Sequence, residues 1–203
     1  LPGWYNLIDT TGKSNDEEIH MTDRIRFLTR TALLLAVVIA FQVFGKMIPY
    51  NNFIVGPVVN AALLVATASA GLWSGIAISV IAPLVSAFTN KAPIAPLVLG
   101  FSPFIIIGNA IIVLAFRLFR KKDRTPGSLR GSIIGVAVGS VLKFGFLYGA
   151  ITAFTSLVSG IQPQQAAALI SLFSWPQLFT AIAGGAIATA VLKLAGKSLE
   201  YRG

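Results

Sequence analysis

The sequence predicts an all-α integral membrane protein: six transmembrane helices, with both termini cytoplasmic. Three observations lead there. First, 55% of the residues are hydrophobic and only 11% charged, with a mean hydropathy of +0.79, well beyond the balance of a soluble domain. Second, a span needs about 20 apolar residues to cross roughly 30 Å of hydrocarbon, and the chain holds six such stretches with little sequence between them. Third, no carboxylate occurs between Arg24 and Lys122 or between Arg124 and Leu199, while the basic residues sit at the ends of apolar runs. The net charge of +9 therefore reads as a topology signal of the positive-inside kind, and not as a nucleic-acid footprint.

Residues 1–21 read as a polar tail and residues 22–203 as one transmembrane domain. The tail carries Asp16-Glu17-Glu18 and has neither the apolar segment nor the cleavage site of a signal peptide. Met21 is a candidate natural start, with residues 1–20 an upstream extension. Codons for Asp-Glu-Glu can hold a purine-rich ribosome-binding sequence just ahead of the ATG. A native N-terminal peptide beginning at Leu1 or earlier would overturn that expectation.

The first span is expected over 27–48, opened by Arg24, Arg26 and Arg30 and closed by Lys46, Pro49 and Tyr50-Asn51-Asn52. The second covers 53–72, and Trp73-Ser74-Gly75 makes a short link to a third over 76–88. After the turn Thr89-Asn90-Lys91-Ala92-Pro93 the fourth runs over 94–119, with Pro96 and Pro103 expected to bend it. The cluster Arg117, Arg120, Lys121, Lys122, Arg124 and Arg130 follows. The fifth span takes 131–157, Ser159-Gly160-Ile161-Gln162-Pro163 ends it, and the sixth covers 166–194. An even number of spans puts both termini beside the basic cluster, and the opposite side carries only Lys46 and Lys91. The charge bias makes the cluster side cytoplasmic.

Composition also narrows the chemistry. The chain has no cysteine, and its single histidine, His20, lies in the polar tail. Thiol chemistry and thiolate metal sites are excluded, and no metal centre, cofactor or catalytic constellation of clustered His, Asp or Glu is expected in the membrane. The chain reads as a non-enzyme. It also lacks the buried acid of a proton or cation relay and any nucleotide-binding loop, so it can bind a solute but carries no evident means of powering its movement. That combination points to a binding subunit driven by other proteins.

Ala32, Ala36 and Ala40 are spaced by four and so stack on one face of the first span. Small residues allow close helix approach in lipid, either to another span of this chain or to a separate membrane protein. Gly131, Gly135 and Gly139 in the fifth span, and Gly184-Gly185 in the sixth, use the same device, for which internal packing is the expectation. The segment Ala32-Leu33-Leu34-Leu35-Ala36-Val37-Val38-Ile39-Ala40 resembles the AxxxA signature on the first helix of the substrate-binding S components of energy-coupling factor (ECF) vitamin transporters. Length, six spans, inside termini and the absence of a motor agree with it over residues 22–196. The resemblance implies a bacterial cytoplasmic-membrane subunit that captures a vitamin-like solute and docks through Ala32, Ala36 and Ala40 onto a transmembrane coupling subunit carrying two ATPases. It does not single out a vitamin.

Lys143 lies near the middle of the fifth span, where a lysine costs at least about 2.5–3.5 kcal/mol and neither membrane face is within snorkelling reach. No carboxylate is available to pair with it. It is a neutral amine, or is satisfied by amides, carbonyls or a watery crevice, or else meets a carboxylate or phosphate on a ligand. A Schiff base is disfavoured, because the imine would also need a carboxylate counter-ion. Other polar groups can converge with it: Asn60 in the second span, Asn109 in the fourth, and Gln177 after Trp175-Pro176 in the sixth. Pro176 frees a backbone carbonyl, which is tolerated in lipid only against protein or a cavity. Trp175, Phe144, Phe146 and Tyr148 can stack on a planar ring, or simply anchor in lipid. In the resembling family the pocket opens outward, between helices 4–6 and outer loops including the one after helix 1. Carried over, that implicates Asn51, Asn52, Asn109, Lys143, Tyr148, Trp175 and Gln177, with the loop asparagines alternatively turn-formers. A rival functional reading is a stand-alone, oligomeric channel or facilitator for a small solute.

Overall fold

The structure, a computed structural model, describes residues 5–45, 52–90, 92–123 and 128–195. All elements among them are helices: α1 (Tyr5–Gly45), α2 (Asn52–Ala70), α3 (Leu72–Thr89), α4 (Ala95–Lys122), α5 (Arg130–Leu157), α6 (Pro163–Phe173) and α7 (Trp175–Ala195). Among the described residues six stretches are long and apolar enough to cross a membrane: Arg24–Gly45, Asn52–Ala70, Leu72–Thr89, Ala95–Lys121, Arg130–Leu157, and Pro163–Ala195 with α6 and α7 taken together. The helix of the first span begins well before its apolar part, at Tyr5. Lys46, Pro49, Tyr50, Asn51, Lys91 and Arg124 lie outside the described residues.

At the centre stands α2, which touches α1, α3, α4 and α7. Every residue from Asn60 to Ala70 is buried. The reason is in the sequence: the stretch is built largely of Ala, Ser and Thr around Leu63-Leu64-Val65, so neighbours approach it closely from all sides. Hydrocarbon gives little hydrophobic drive between helices, and association rests on such close packing. A cluster of Leu64, Val65, Ile112, Phe116, Val136 and Leu192 joins α2 to α4, α5 and α7. Another, around Val38, Leu63, Ile78 and Val113, holds α1 and α3 to it. A third, aromatic, ties α6 to α4 and α5: Phe101 lies 5.1 Å from Phe104, 5.4 Å from Phe154 and 4.8 Å from Phe173, ring centre to ring centre.

The glycines of α5 and α7 serve internal packing. A Cβ on Gly131 would stand 2.5 Å from the Phe119 carbonyl oxygen, and one on Gly135 only 2.8 Å from the Phe116 Cα, so α5 lies backbone to backbone on α4. A Cβ on Gly184 would stand 2.6 Å from the Pro57 oxygen of α2, and one on Gly185 would collide with Val136 of α5. By contrast, Ala32, Ala36 and Ala40 are all exposed, while Val38, Gln42 and Gly45 on the other side of α1 are buried. The stripe is turned away from α2 and α3.

Three expectations need correcting. Trp73-Ser74-Gly75 is not a link but the first turn of α3, and the connection is Gly71 alone (φ 95°, ψ 175°), a backbone region essentially restricted to glycine. Gly75 is there because a Cβ would run into the Thr67 hydroxyl. Pro96 does not bend the fourth span; it sits in the first turn of α4, where its missing N–H has no intrahelical partner to lose. The sixth span is broken at Ser174 into α6 and α7.

Side-chain bonds fix one end of the bundle. Arg30 Nη1 donates to the Ser69 carbonyl at the end of α2, and the Thr31 and Ser74 hydroxyls lie 2.6 Å apart, so α1 is pinned to the α2–α3 corner. Arg120 donates to the Ser132 hydroxyl at 3.0 Å and the Asp123 carboxylate accepts the Gly131 N–H at 2.9 Å, closing the α4–α5 corner.

Candidate functional site

The glycine contacts that draw α5 onto α4 and α7 onto α2 also assemble a polar site one turn further along. Gly139 packs on Ile112 and Ala115, which brings Lys143 of α5 level with Asn109 of α4. On the other side, a Cβ on Gly184 would lie 2.5 Å from the Asn60 Cβ, so α7 presses directly on the α2 turn that carries Asn60. Lys143 is 2% exposed. Its Nζ donates to Asn60 Oδ1 at 2.7 Å and to Asn109 Oδ1 at 2.8 Å. Asn60 is held in that orientation because its own Nδ2 donates to the Gly56 carbonyl at 2.9 Å.

Depth makes the cluster unusual. Lys143 is 13 residues into α5, about 20 Å along the helix at 1.5 Å per residue, and so near mid-membrane. Both acceptors are neutral amide oxygens, and among the described residues no carboxylate faces it. As an ammonium, Nζ has three N–H groups. Two are used, and among the described residues nothing matches the remaining donor or the charge.

These three residues line a partly enclosed cavity of about 200 Å³. Its polar wall continues through Gln42, Asn52, Ser86, Asn90, Gln177 and Thr180, and its apolar wall includes Val55, Val59, Val98, Ile105, Leu172 and Phe173. Gln42, Asn52, Ser86 and Asn90 belong to the ends of α1, α2 and α3 remote from the Arg30–Ser69 and Arg120–Ser132 bonds. The cavity thus occupies the half of the bundle away from the basic cluster.

The break between α6 and α7 shapes one side of it. Pro176 has no N–H to offer the Leu172 carbonyl, and Gln177 Nε2 takes over that role, donating to Leu172 O at 3.2 Å, while the Gln177 backbone N–H donates to Ser174 O at 3.0 Å. The freed carbonyl expected from the sequence is thereby satisfied by a cavity-lining side chain, and Gln177 is partly committed to that task.

Of the residues singled out from sequence, the structure brings Asn52, Asn109, Lys143 and Gln177 to one cavity, with Asn60. Asn51 lies outside the described residues. Tyr148 and Trp175 do not line the cavity. Tyr148 is 46% exposed on the outer face of α5, stacked 6.0 Å from Phe144. Trp175 is 60% exposed and packs 5.6 Å from Phe53. Gln42 was not among the sequence candidates, although the signal was present: it is the only amide in the apolar part of the first span. Among the described residues no three of His, Cys, Asp and Glu come together as a metal would require.

No curated protein and no solved structure matches the chain. A protein-family model does, that of the ECF transporter, substrate-specific component, over residues 26–196. That match spans all six membrane-crossing stretches except the first two residues. The chain belongs to the family of substrate-specific components of ECF transporters.

Proposed function

We propose that this chain is the membrane-embedded binding subunit of an ATP-driven importer and captures a vitamin or related micronutrient bearing an anionic group. One observation carries the ligand chemistry: Lys143 is buried at mid-membrane, lines the cavity and meets only two neutral amide oxygens among the described residues. A carboxylate or phosphate from the ligand supplies the missing counter-charge and accepts the remaining N–H in a charge-assisted bond, stronger than a neutral one. Asn52, Asn60, Asn109 and Gln177 orient the solute, and the apolar wall accommodates its hydrocarbon part.

Sidedness follows from charge. Arg24, Arg26, Arg30, Arg117, Arg120, Lys121 and Arg130 gather at the bundle end away from the cavity. By the positive-inside rule that end faces the cytoplasm, with both termini, in the bacterial inner membrane. The cavity then lies toward the outside, as uptake requires.

The exposed stripe of Ala32, Ala36 and Ala40 is read as the docking face for the transmembrane coupling subunit, which carries two ATPases. Small side chains there let a partner helix approach closely. The test is co-purification with co-expressed coupling and ATPase subunits, wild type against Ala36→Leu. The wild type is expected to bring down the complex, and Ala36→Leu to lose it while remaining folded and retaining ligand. Full assembly by Ala36→Leu would sink the docking assignment, and failure of the wild type to recruit the ATPases would sink the importer reading.

A further inference from the structure

Gln42 holds an unmatched acceptor. Its side chain is 5% exposed and lines the same cavity as Lys143. Its Nε2 donates to the Ala82 carbonyl of α3 at 3.0 Å, and its Oε1 is buried without a hydrogen-bond partner. The assignment of the two ends follows from chemistry, because only the NH2 end can donate to a carbonyl. A buried amide oxygen left unpaired carries a penalty comparable to a lost hydrogen bond. Ala82 O, inside α3, also has its own helical donor, so Gln42 is not needed to satisfy it.

We propose that Gln42 is a second ligand contact, accepting an N–H or O–H from the substrate, and that the substrate is a compact organic acid carrying such a donor. The proposal rests on the reading of the Lys143 cavity as the substrate site. The cavity wall then carries complementary polar groups: a donor with positive charge at Lys143 and an unpaired acceptor at Gln42, whose Oε1 is covered in the empty protein and reaches a ligand by a turn of the side chain. An acid without a donor would bury Gln42 Oε1 unpaired, and a neutral donor would leave Lys143 without a counter-charge. Size supports a small molecule: a cavity of about 200 Å³ is below the roughly 300–1,000 Å³ of drug-sized pockets. Placement adds a consequence. Gln42 lies about 200° around α1 from Ala40 at 100° per residue, so the helix bearing the exposed alanine stripe turns its opposite side to the substrate.

The experiment exposes the full-length protein, in mild detergent, to the sub-kilodalton fraction of yeast extract. Compounds retained after washing are then quantified by mass spectrometry. Wild type, Gln42→Met and Lys143→Met are compared, each checked for monodisperse elution. The expected result is that wild type enriches an acid bearing an N–H or O–H donor, that Lys143→Met loses it, and that Gln42→Met weakens its retention about tenfold, the scale of one buried hydrogen bond. A second measurement needs no variant: the same acid with its donor methylated should bind wild type about tenfold less well, and Gln42→Met should no longer distinguish the two. If Gln42→Met holds the acid as tightly as wild type while Lys143→Met has lost it, a water satisfies Gln42 and this proposal fails alone. It fails likewise if the retained acids carry no donor, or if methylation of the donor leaves wild-type binding unchanged. If wild type enriches nothing beyond Lys143→Met, both readings of the cavity fall together.

Discussion

Lys143→Met removes the Lys143 ammonium from the cavity while keeping the reach of the side chain, and it separates a ligand-binding lysine from a structural one. Two terms act on the empty protein. Relief of a lysine at mid-membrane is worth about 2.5–3.5 kcal/mol. Against it, the Oδ1 atoms of Asn60 and Asn109, which accept from Nζ at 2.7 and 2.8 Å, lose their donor, at about 1–3 kcal/mol each. The terms nearly cancel, leaving a net change within about 3 kcal/mol, or about 10 °C in Tm for a protein of this size. The bound state behaves differently. Removing one member of a buried, hydrogen-bonded charge pair costs about 2–5 kcal/mol, which is roughly 30-fold to several-thousand-fold in Kd. The assay pairs thermal unfolding in detergent with isotope-dilution mass spectrometry of the retained solute. The expected outcome is an empty protein that still unfolds cooperatively, within about 10 °C of the wild-type Tm, with retention lost. Equal retention by wild type and variant would refute the anionic contact, and wholesale unfolding of the variant would make Lys143 a structural residue.

Other perturbations test how the fold presents this site. Gly135→Leu places a side chain where the Phe116 Cα would lie 2.8 Å from the new Cβ; it should cost about 1–3 kcal/mol or more and, by prising α5 from α4, reduce solute retention as well. Thermal unfolding and retention measured on one preparation check both effects. Gly71→Ala forces a Cβ into φ 95°, ψ 175° and should lower stability by about 1–3 kcal/mol without changing solute selectivity, since Gly71 is far from the cavity lining. Gln177→Leu leaves the Leu172 carbonyl without the 3.2 Å bond that replaces the missing Pro176 N–H; a loss of about 1–3 kcal/mol is expected, read as a lower Tm together with faster amide exchange around Ser174.

The architecture is legible because each span announces itself by hydropathy, and the expected ends lie within a few residues of the membrane-crossing stretches observed. The lapses share a cause. Gly75 reads from the sequence as part of a link and Pro96 as a bend, where the fold uses the one for close approach and the other for helix initiation. Gly75 lies inside α3 because Thr67 leaves no space for a Cβ, and Pro96 starts α4. The break at Ser174 was half visible, since Pro176 marked a missing donor, but the replacement of that donor by the Gln177 side chain depends on a local backbone path that periodicity does not encode. In the site, depth and chemistry found Lys143, Asn60 and Asn109 because a buried polar group in lipid must find partners. The same argument applies to Gln42, the lone amide in the apolar part of α1. Aromatic residues carried less information, because a ring is equally at home against lipid, as the exposure of Tyr148 and Trp175 illustrates.

The most direct test of the central claim is an experimental structure of the protein purified with its retained solute, read at the Lys143 side chain. The account predicts density in the cavity with an anionic group within hydrogen-bond distance of Nζ and with Asn60 and Asn109 still holding the same nitrogen. A solute bound elsewhere on the protein, with the cavity holding only water around Lys143, would contradict it.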